Sequence, residues 1–107
     1  MTNKKILSLL GIATRSRNLV SGEFMTEKSV KNGTAKLVIV AQDASDNTKK
    51  EFSDMCSYYG VPIAYIGTKE ELGKSMGKEI RASLSITDQG LASSVSKLLQ
   101  EVVQIHG

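Results

Sequence analysis

A chain of 107 residues is long enough to bury one hydrophobic core, and we predict a single domain over residues 1–107. One cysteine, Cys56, excludes an intrachain disulfide, and its helical setting fits a small core residue. The N-terminus lacks a secretory apolar stretch and no apolar run approaches membrane-spanning length, so we expect a cytoplasmic protein without membrane contact.

The net charge of +3 is unevenly distributed along the chain. Residues 1–36 carry seven Lys and Arg against two Glu, a net charge of +5, whereas residues 37–65 carry a net charge of −2. A concentrated basic surface favours a nucleic acid as partner. Lysines also serve simply to keep a helix face soluble, so charge alone leaves both interpretations open.

The first half of the chain is predicted to alternate helix and strand. Apolar residues at helical spacing indicate a first helix from about Asn3 to Thr14, and Asn18-Leu19-Val20 fit a short strand. A second helix follows Gly22 and ends at Asn32-Gly33. The apolar run from Leu37 to Ala41 predicts a central strand that is covered on both faces.

The middle of the chain contains two candidate capping boxes. A third helix begins between Ser45 and Thr48, where Thr48 and Glu51 resemble such a box, and it ends at Gly60. A strand is predicted from Val61 to Ile66, with a proline near its start. The second box then opens a fourth helix that ends at Gly77; its two residues are Thr68 and Glu71.

The last predicted elements are a strand from Arg81 to Thr87 and a helix that starts near Asp88 and buries Val95 and Val102. The order of strands and helices predicts the α/β class. We expect a three-layer α/β/α sandwich with a central four-stranded mixed sheet.

The sequence contains no convincing catalytic motif. The segment Gly67 to Ser75 resembles a phosphate-binding loop, but five residues separate its glycines where the motif requires four, and its interior favours a helix. His106, the single histidine, lies one residue from the end. Asp43 and Asp46 fit caps of the helix beside them better than an acid–base pair. We therefore predict no enzymatic activity, no cofactor and no metal.

The start of the second helix is the best candidate for a binding site. A helix N-terminus opened by Gly22 presents free backbone N–H groups and the positive end of the helix dipole, which suit a phosphate. If this helix buries Thr26 and Val30, Phe24 points away from the core and Met25 lies on the flank. The two apolar side chains could then stack on unpaired RNA bases. Alternatively, Phe24 precedes the helix and packs back as a hydrophobic staple.

An ordered set of short motifs resembles one known family. The motifs are Arg17-Asn18-Leu19-Val20-Ser21-Gly22, Lys28, Ala35-Lys36-Leu37-Val38-Ile39-Val40-Ala41-Gln42-Asp43, Val61-Pro62, Lys69-Glu70-Glu71-Leu72-Gly73 and Thr87-Asp88-Gln89-Gly90. Together they resemble the kink-turn-binding ribosomal proteins of the L7Ae/L30e type, and especially their small bacterial YlxQ-like branch. The resemblance implies an α/β/α sandwich that binds RNA without catalysis. The expected partner is structured RNA, either a kink-turn or ribosomal RNA, with the ribosome as a further candidate and a monomer as the expected state.

The resemblance also implies where RNA binds. The family's RNA face joins the glycine-opened helix mouth to the loop before the last strand, which correspond here to Gly22–Lys28 and Gly77–Arg81. In that loop, Ile80 would meet bulged bases and Arg81 the RNA backbone. The candidate RNA-binding residues are Arg17, Ser21, Gly22, Glu23, Phe24, Met25, Lys28, Lys31, Lys78, Glu79, Ile80 and Arg81.

This chain departs from the family pattern at two positions. Members that bind kink-turns carry Asn and then Glu where this sequence has Phe24 and Met25, and neither of these can hydrogen-bond to a base edge. Each lost contact removes ~1–3 kcal/mol of base discrimination. One hypothesis is an RNA-binding protein that stacks on bases through Phe24. The other is a protein–protein interaction module of the same fold that has lost kink-turn specificity. Salt dependence distinguishes the two, because phosphate-driven binding weakens steeply with salt.

Overall fold

A four-stranded mixed sheet with helices on both of its faces forms the framework of the protein. The computed structural model describes residues 2–106 and, within them, the side chains of residues 3–101. The elements in chain order are α1 (Thr2–Arg15), β1 (Leu19–Ser21), α2 (Glu23–Lys31), β2 (Leu37–Val40), α3 (Asp46–Tyr59), β3 (Ile63–Tyr65), α4 (Lys69–Ser75), β4 (Ser83–Ile86) and α5 (Gln89–His106). The predicted alternation of helices and strands is confirmed.

The strands lie in the order β1-β4-β2-β3. β4 runs antiparallel to both β1 and β2, whereas β2 and β3 run parallel. β2 therefore lies inside the sheet, and its residues are at most 2% exposed. This confirms the predicted buried central strand, although the strand ends at Val40. The next N–H group, that of Ala41, donates instead to the carbonyl oxygen of Ala82, 2.9 Å away.

The helices form two layers around the sheet. α2 and α3 pack on one face, where they contact β4 and β2, and α1, α4 and α5 form the layer on the other. Both layers supply fully buried side chains, with Phe52 from α3 and Ile6, Leu10 and Leu72 from the opposite layer. Each such side chain stabilises the fold by ~1.5–3 kcal/mol. The predicted α/β/α sandwich is confirmed.

One of the two predicted capping boxes is present. In α4, Thr68 Oγ1 accepts a hydrogen bond from the N–H of Glu71 at 3.0 Å, and the Glu71 carboxylate accepts one from the N–H of Thr68 at 2.9 Å. The box predicted at Thr48 and Glu51 is wrong. α3 starts within the predicted interval, but its N-cap is Ser45, three residues before Thr48: Ser45 has an extended backbone, and its hydroxyl accepts from the N–H of Thr48 at 3.1 Å.

The prediction that Asp43 and Asp46 cap the helix beside them is also wrong. Asp46 is the first residue of α3, and Ser45 takes the N-cap position. The Asp43 carboxylate accepts a hydrogen bond from the N–H of Lys69, 2.8 Å away in α4. Asp43 thus caps a helix that is distant in the sequence, because the end of β2 lies beside the start of α4.

β3 and β4 are shorter than the strands predicted over Val61–Ile66 and Arg81–Thr87. The N–H of Val61 donates to the carbonyl oxygen of Cys56 at the end of α3, at 2.9 Å, and the N–H of Arg81 donates to a carbonyl of α4 at 3.0 Å. These residues therefore form hydrogen bonds with helix ends and stay outside the sheet.

α5 begins as predicted after Asp88. The Asp88 carboxylate accepts a hydrogen bond from the N–H of Leu91 at 2.9 Å, as expected of an N-cap. Val95 is fully buried, as predicted. The predicted burial of Val102 and the interpretation of His106 concern side chains outside those that the structure describes.

Candidate nucleic-acid interface

α2 begins at a glycine that no other residue type readily replaces. Gly22 is its N-cap, with φ 91° and ψ 156°, a backbone conformation that is essentially restricted to glycine. The N–H of Gly22 donates to the carbonyl oxygen of Ser83 at 3.0 Å, which fixes the start of α2 against β4. None of the described side chains caps the helix, so the first-turn N–H groups, at the positive end of its dipole, have no side-chain acceptor there.

The loop from Lys78 to Arg81 is held against α4 by its backbone. The N–H of Lys78 donates to the carbonyl oxygen of Gly73 at 2.7 Å, and the N–H of Arg81 donates to that of Lys69 at 3.0 Å. A Cβ atom on Gly73 would lie 2.5 Å from the carbonyl oxygen of Glu79, closer than real side chains approach. Because Gly73 has no side chain, the loop can pack directly against the backbone of α4.

Arg81 joins this loop to the start of α2. Its Nε donates to Ser21 Oγ at 3.2 Å, and its Nη1 donates to the carbonyl oxygen of Ile80 at 2.8 Å. The first of these bonds connects residues 60 positions apart in the sequence. The structure thus brings Ser21, Gly22 and Arg81 together, and Glu23 lies beside them in the first turn of α2.

Three large apolar side chains are exposed on these two segments. Phe24 is 74% exposed, Met25 41% and Ile80 59%. α2 buries Thr26 and Val30, the condition under which Phe24 points away from the core, and Phe24 is already part of the helix. The alternative in which Phe24 precedes the helix and packs back as a staple is therefore wrong.

The two lysines of α2 differ in their surroundings. Lys28 is exposed and has no ion-pair partner among the described residues. Lys31 Nζ lies 2.8 Å from a carboxylate oxygen of Glu27, and this hydrogen bond raises the pKa of Lys31. Lys31 is also the last residue of α2, about 13 Å along the helix from Gly22. Lys28 is thus the lysine of α2 that is free to bind an anion near the mouth.

Arg17 lies away from the start of α2. It precedes β1, whereas Ser21 is the last residue of that strand. At the Arg17 end of β1, the N–H of Thr87 donates to the carbonyl oxygen of Asn18 at 2.9 Å. The structure therefore places Arg17 and Lys31 apart from the group formed by Ser21, Gly22 and Arg81. Arg17 itself has a positive φ of 62°, which is uncommon for a residue other than glycine.

Sequence analysis missed the part played by β4 in this region. The carbonyl oxygen of Ser83 accepts the hydrogen bond from Gly22, and the Ser83 side chain is buried in β4. Thr26 and Ser85 are also buried, and α2 contacts β4. Small side chains allow a helix to approach a sheet closely. Serines at alternate positions of a predicted buried strand are the signal that could have indicated this approach.

No described feature of the chain resembles an active site. The segment from Gly67 to Ser75 forms the turn and helix of α4, so its backbone N–H groups are not arranged as a phosphate-binding loop. Burial raises the pKa of the Cys56 thiol to about 11, which keeps it protonated and unreactive at neutral pH. The described residues contain no cluster of three His, Cys, Asp or Glu that could hold a metal ion. None of the helices in residues 2–106 is long and apolar enough to cross a membrane.

The fold and the site define a small α/β/α protein whose uncapped helix start lies beside a basic loop. Comparison with known proteins identifies its family. The model of the ribosomal protein L7Ae/L30e/S12e/Gadd45 family matches residues 4–96, and the chain belongs to this family. The resemblance found in the sequence is thereby confirmed, as is the prediction of a protein without enzymatic activity.

Individual relatives agree with this assignment. The chain is 43% identical to the RNA-binding protein YlxQ of Bacillus subtilis over 92% of its own length and 99% of that protein. It is 30% identical to the large ribosomal subunit protein eL8 of Cenarchaeum symbiosum, over 95% of this chain and 82% of that one. Among solved structures it is similar to a Giardia lamblia 15.5kD RNA binding protein, with a TM-score of 0.79 and 26% identity over 96% of this chain and 88% of the other.

Proposed function

We propose that this protein binds structured RNA through a surface that we call the helix-mouth face, formed by Ser21–Lys28 and Lys78–Arg81. The observation that carries the proposal is the uncapped start of α2 at Gly22, held beside the Arg81 guanidinium. Free N–H groups at a helix start bind phosphate oxygens. Relatives named as RNA-binding proteins, one of them 43% identical, support RNA as the source of those phosphates.

The charges of this face fit contact with an RNA backbone. Lys28 and Lys78 are exposed on the two segments, and Arg81, which bonds to Ser21, has part of its surface accessible. Each lysine or arginine that neutralises a phosphate releases counterions, so affinity should fall steeply as salt rises. Backbone contacts of this kind position the RNA but carry no sequence information.

Selectivity for particular RNAs would come from the apolar side chains. Phe24, 74% exposed, presents a ring on which an unpaired base can stack, worth roughly 1–3 kcal/mol. Ile80 faces outwards from the neighbouring loop and offers an apolar surface to a splayed base. Stacking tolerates any base, because every base has a π-face. We therefore infer that the protein prefers RNA with unpaired bases and discriminates kink-turns weakly.

The test is a titration of a kink-turn RNA and an unrelated hairpin at two salt concentrations. The wild-type protein should bind both RNAs, with a small preference. The double variant Phe24→Asn with Met25→Glu restores side chains that can hydrogen-bond to base edges, and its preference for the kink-turn should rise. Equal preferences in the two proteins would refute the stacking model. A wild type that binds neither RNA would refute the proposed function.

The second candidate function is a protein-interaction module of the same fold. The exposed apolar side chains Phe24, Met25 and Ile80 are the observation that favours it, since such groups mark protein contacts. Binding through them would change little with salt, in contrast to binding through phosphates. If substitutions at Gly22 and Lys28 leave RNA affinity unchanged, protein binding explains the helix-mouth face better than RNA binding does.

Association with the ribosome and a monomeric state are further parts of the proposal. A 30% identical relative is named as a protein of the large ribosomal subunit, so ribosomal RNA is the first ligand to test. Cosedimentation of the pure protein with isolated large subunits measures the association. Light scattering of the free protein measures its mass, and a mass near 11.6 kDa would agree with a monomer.

A further inference from the structure

A groove of about 620 Å³ lies between α1 and α4, outside the helix-mouth face. On α4 it is lined by Glu71, Lys74 and Ser75. At 100° per residue, Gly73 lies on nearly the opposite side of that helix, where it packs against the loop of the helix-mouth face. α4 therefore separates the two surfaces, and the groove is independent of the proposed RNA site.

Between its terminal cations, the α1 side of the groove forms a mostly apolar floor, with Ser8 as a polar residue. Leu7, Gly11 and Ile12 line it from α1, and Ile12 is 46% exposed although it is a large apolar residue. A Cβ atom on Gly11 would lie 3.1 Å from the carbonyl oxygen of Ser75, so the two helices approach closely at this point. The floor is thus shaped by a helix crossing and holds a partly exposed apolar side chain, that of Ile12.

The rim of the groove is basic. Lys4, Arg15 and Lys74 line it, and the ion pairs of the described residues involve none of them. One guanidinium nitrogen of Arg15 lies 3.4 Å from the position of a Cβ on Gly11, which places this cation over the floor. The one acid of the rim, Glu71, accepts a hydrogen bond from the N–H of Thr68 in the capping box of α4. Three cations therefore surround an apolar floor.

We propose that this groove binds an acidic amphipathic helix of a partner protein. Lys4 and Arg15 mark a length of about 17 Å along α1, which corresponds to three turns of an opposing helix. A helix of that length presents apolar side chains at positions i, i+3 or i+4, and i+7 to such a floor, and its acidic residues would face the basic rim. The residues that line the groove include no aromatic side chain, so an RNA base would find no ring to stack on there.

Selection from a phage-displayed library of 16-residue peptides tests the proposal. The wild-type protein is the target, and the double variant Arg15→Glu with Lys74→Glu is the counter-target. Enriched peptides should carry Asp or Glu together with apolar residues at helical spacing. Ile12→Asp should weaken the best peptide at least about tenfold, the size expected at a central contact. Lys97→Glu, a charge reversal at an exposed position of α5, should leave the affinity unchanged.

Four other results would overturn the proposal of a helix-binding groove. Failure to enrich acidic peptides, or equal binding to wild type and Ile12→Asp, would show that the groove does not bind such helices. Loss of RNA affinity in Ile12→Asp or in Lys74→Glu would assign the groove to RNA. Sedimentation that shows a dimer lost in Ile12→Asp would assign it to a second copy of the chain. Circular dichroism on every variant separates these results from unfolding, and RNA titration of the same variants shows separately whether the proposed function holds.

Discussion

Two helices of this protein start close to a glycine with positive φ, but their first turns differ. At α4, Gly67 precedes a start at which side chains accept three N–H groups: Thr68 and Glu71 exchange two hydrogen bonds, and Asp43 accepts a third from the N–H of Lys69. At α2, Gly22 is itself the N-cap, and none of the described side chains accepts a hydrogen bond from the first turn. Side chains accept three N–H groups at the start of α4, whereas the described side chains accept none at the start of α2, which leaves those groups for a ligand.

This difference shows why the spacing of glycines is a poor guide to a phosphate site. The α4 segment resembles a phosphate-binding loop in sequence, yet a phosphate there would have to displace a capping box and a carboxylate. The α2 segment matches no such loop, but its N–H groups are available and a guanidinium lies beside them. Availability of the N–H groups, rather than glycine content, decides which helix start can bind an anion.

The largest expected effect concerns the support that α4 gives to the helix-mouth face. Gly73→Ala would place a Cβ atom 2.5 Å from the Glu79 carbonyl oxygen and 2.9 Å from the Ile80 nitrogen, both backbone atoms. The loop must move, and we expect the free energy of unfolding to fall by about 1–3 kcal/mol, as in other overpacked sites. Urea denaturation measures this loss, and RNA titration should show weaker binding because Arg81 moves with the loop.

The control for this variant is Gly90→Ala. Gly90 also lies in a helix, but an added Cβ there would meet only a side-chain atom at 3.2 Å, the Asp88 oxygen that caps α5, and this oxygen needs to move by only a few tenths of an ångström. Alanine favours helices over glycine by roughly 0.5–1 kcal/mol, so this variant should be neutral or more stable. If the two variants unfold at the same urea concentration, the close packing of the loop on α4 has no energetic consequence and our account of Gly73 fails.

The next largest effect is expected at the start of α2, where substitution of Gly22 should lower both stability and RNA affinity. Gly22→Val should lower the free energy of unfolding by about 1–3 kcal/mol, because the backbone conformation at position 22 is essentially restricted to glycine. It should also weaken RNA binding at least about tenfold, since a branched side chain would project into the space where a phosphate approaches the first-turn N–H groups.

Gly33→Val is the matched control for the open start. Gly33 follows the other end of α2, also has a positive φ, 84°, and has no atom within 4 Å of an added Cβ. The variant should lose stability from backbone strain but keep its RNA affinity when measured well below its unfolding temperature. An equal loss of RNA affinity in both variants would indicate that strain, rather than access to the N–H groups of α2, controls binding.

A smaller effect is expected at the closed start. Thr68→Ala removes the hydroxyl that accepts the N–H of Glu71, and N-cap losses of this kind lower stability by about 1 kcal/mol. RNA affinity should stay the same, because the α4 start carries no ligand in our proposal. Thermal unfolding and RNA titration of one preparation provide both measurements. A drop in RNA affinity larger than the drop in stability would place the start of α4 within the RNA site.

The sequence predicted the order of elements because that order depends on local patterns. Leu37 to Val40 form the apolar run expected of a strand covered on both faces, and the strand is indeed buried. Helical periodicity also related the two faces of α2: if Thr26 and Val30 are buried, as they are, Phe24 points away from the core. The sequence left open whether Phe24 instead preceded the helix, and the structure decided this by placing Phe24 within α2.

The sequence could not predict contacts between distant segments. Asp43 caps α4 across 26 positions, and Arg81 reaches Ser21 across 60. Neither pairing has a local pattern, because each depends on which strands become neighbours in the sheet. The strand predicted from Arg81 was too long for the same reason, since the Arg81 N–H group bonds to α4 instead of a strand. Residues that assemble the site by tertiary contact therefore needed the structure.

The smallest expected effect compares two lysines on one helix. Lys28→Ala should reduce the slope of log affinity against log salt by about 0.7–0.9, the change for one phosphate contact. Lys31→Ala should reduce it less, because Lys31 is paired with Glu27 at 2.8 Å and lies at the far end of α2 from Gly22. Both substitutions remove one positive charge from the same helix, so net charge and helix propensity change equally. RNA titrations over a range of salt concentrations measure the two slopes. Equal slopes for the two variants would mean that α2 attracts RNA only through its overall charge. The uncapped helix start at Gly22 would then not be the centre of the RNA-binding face.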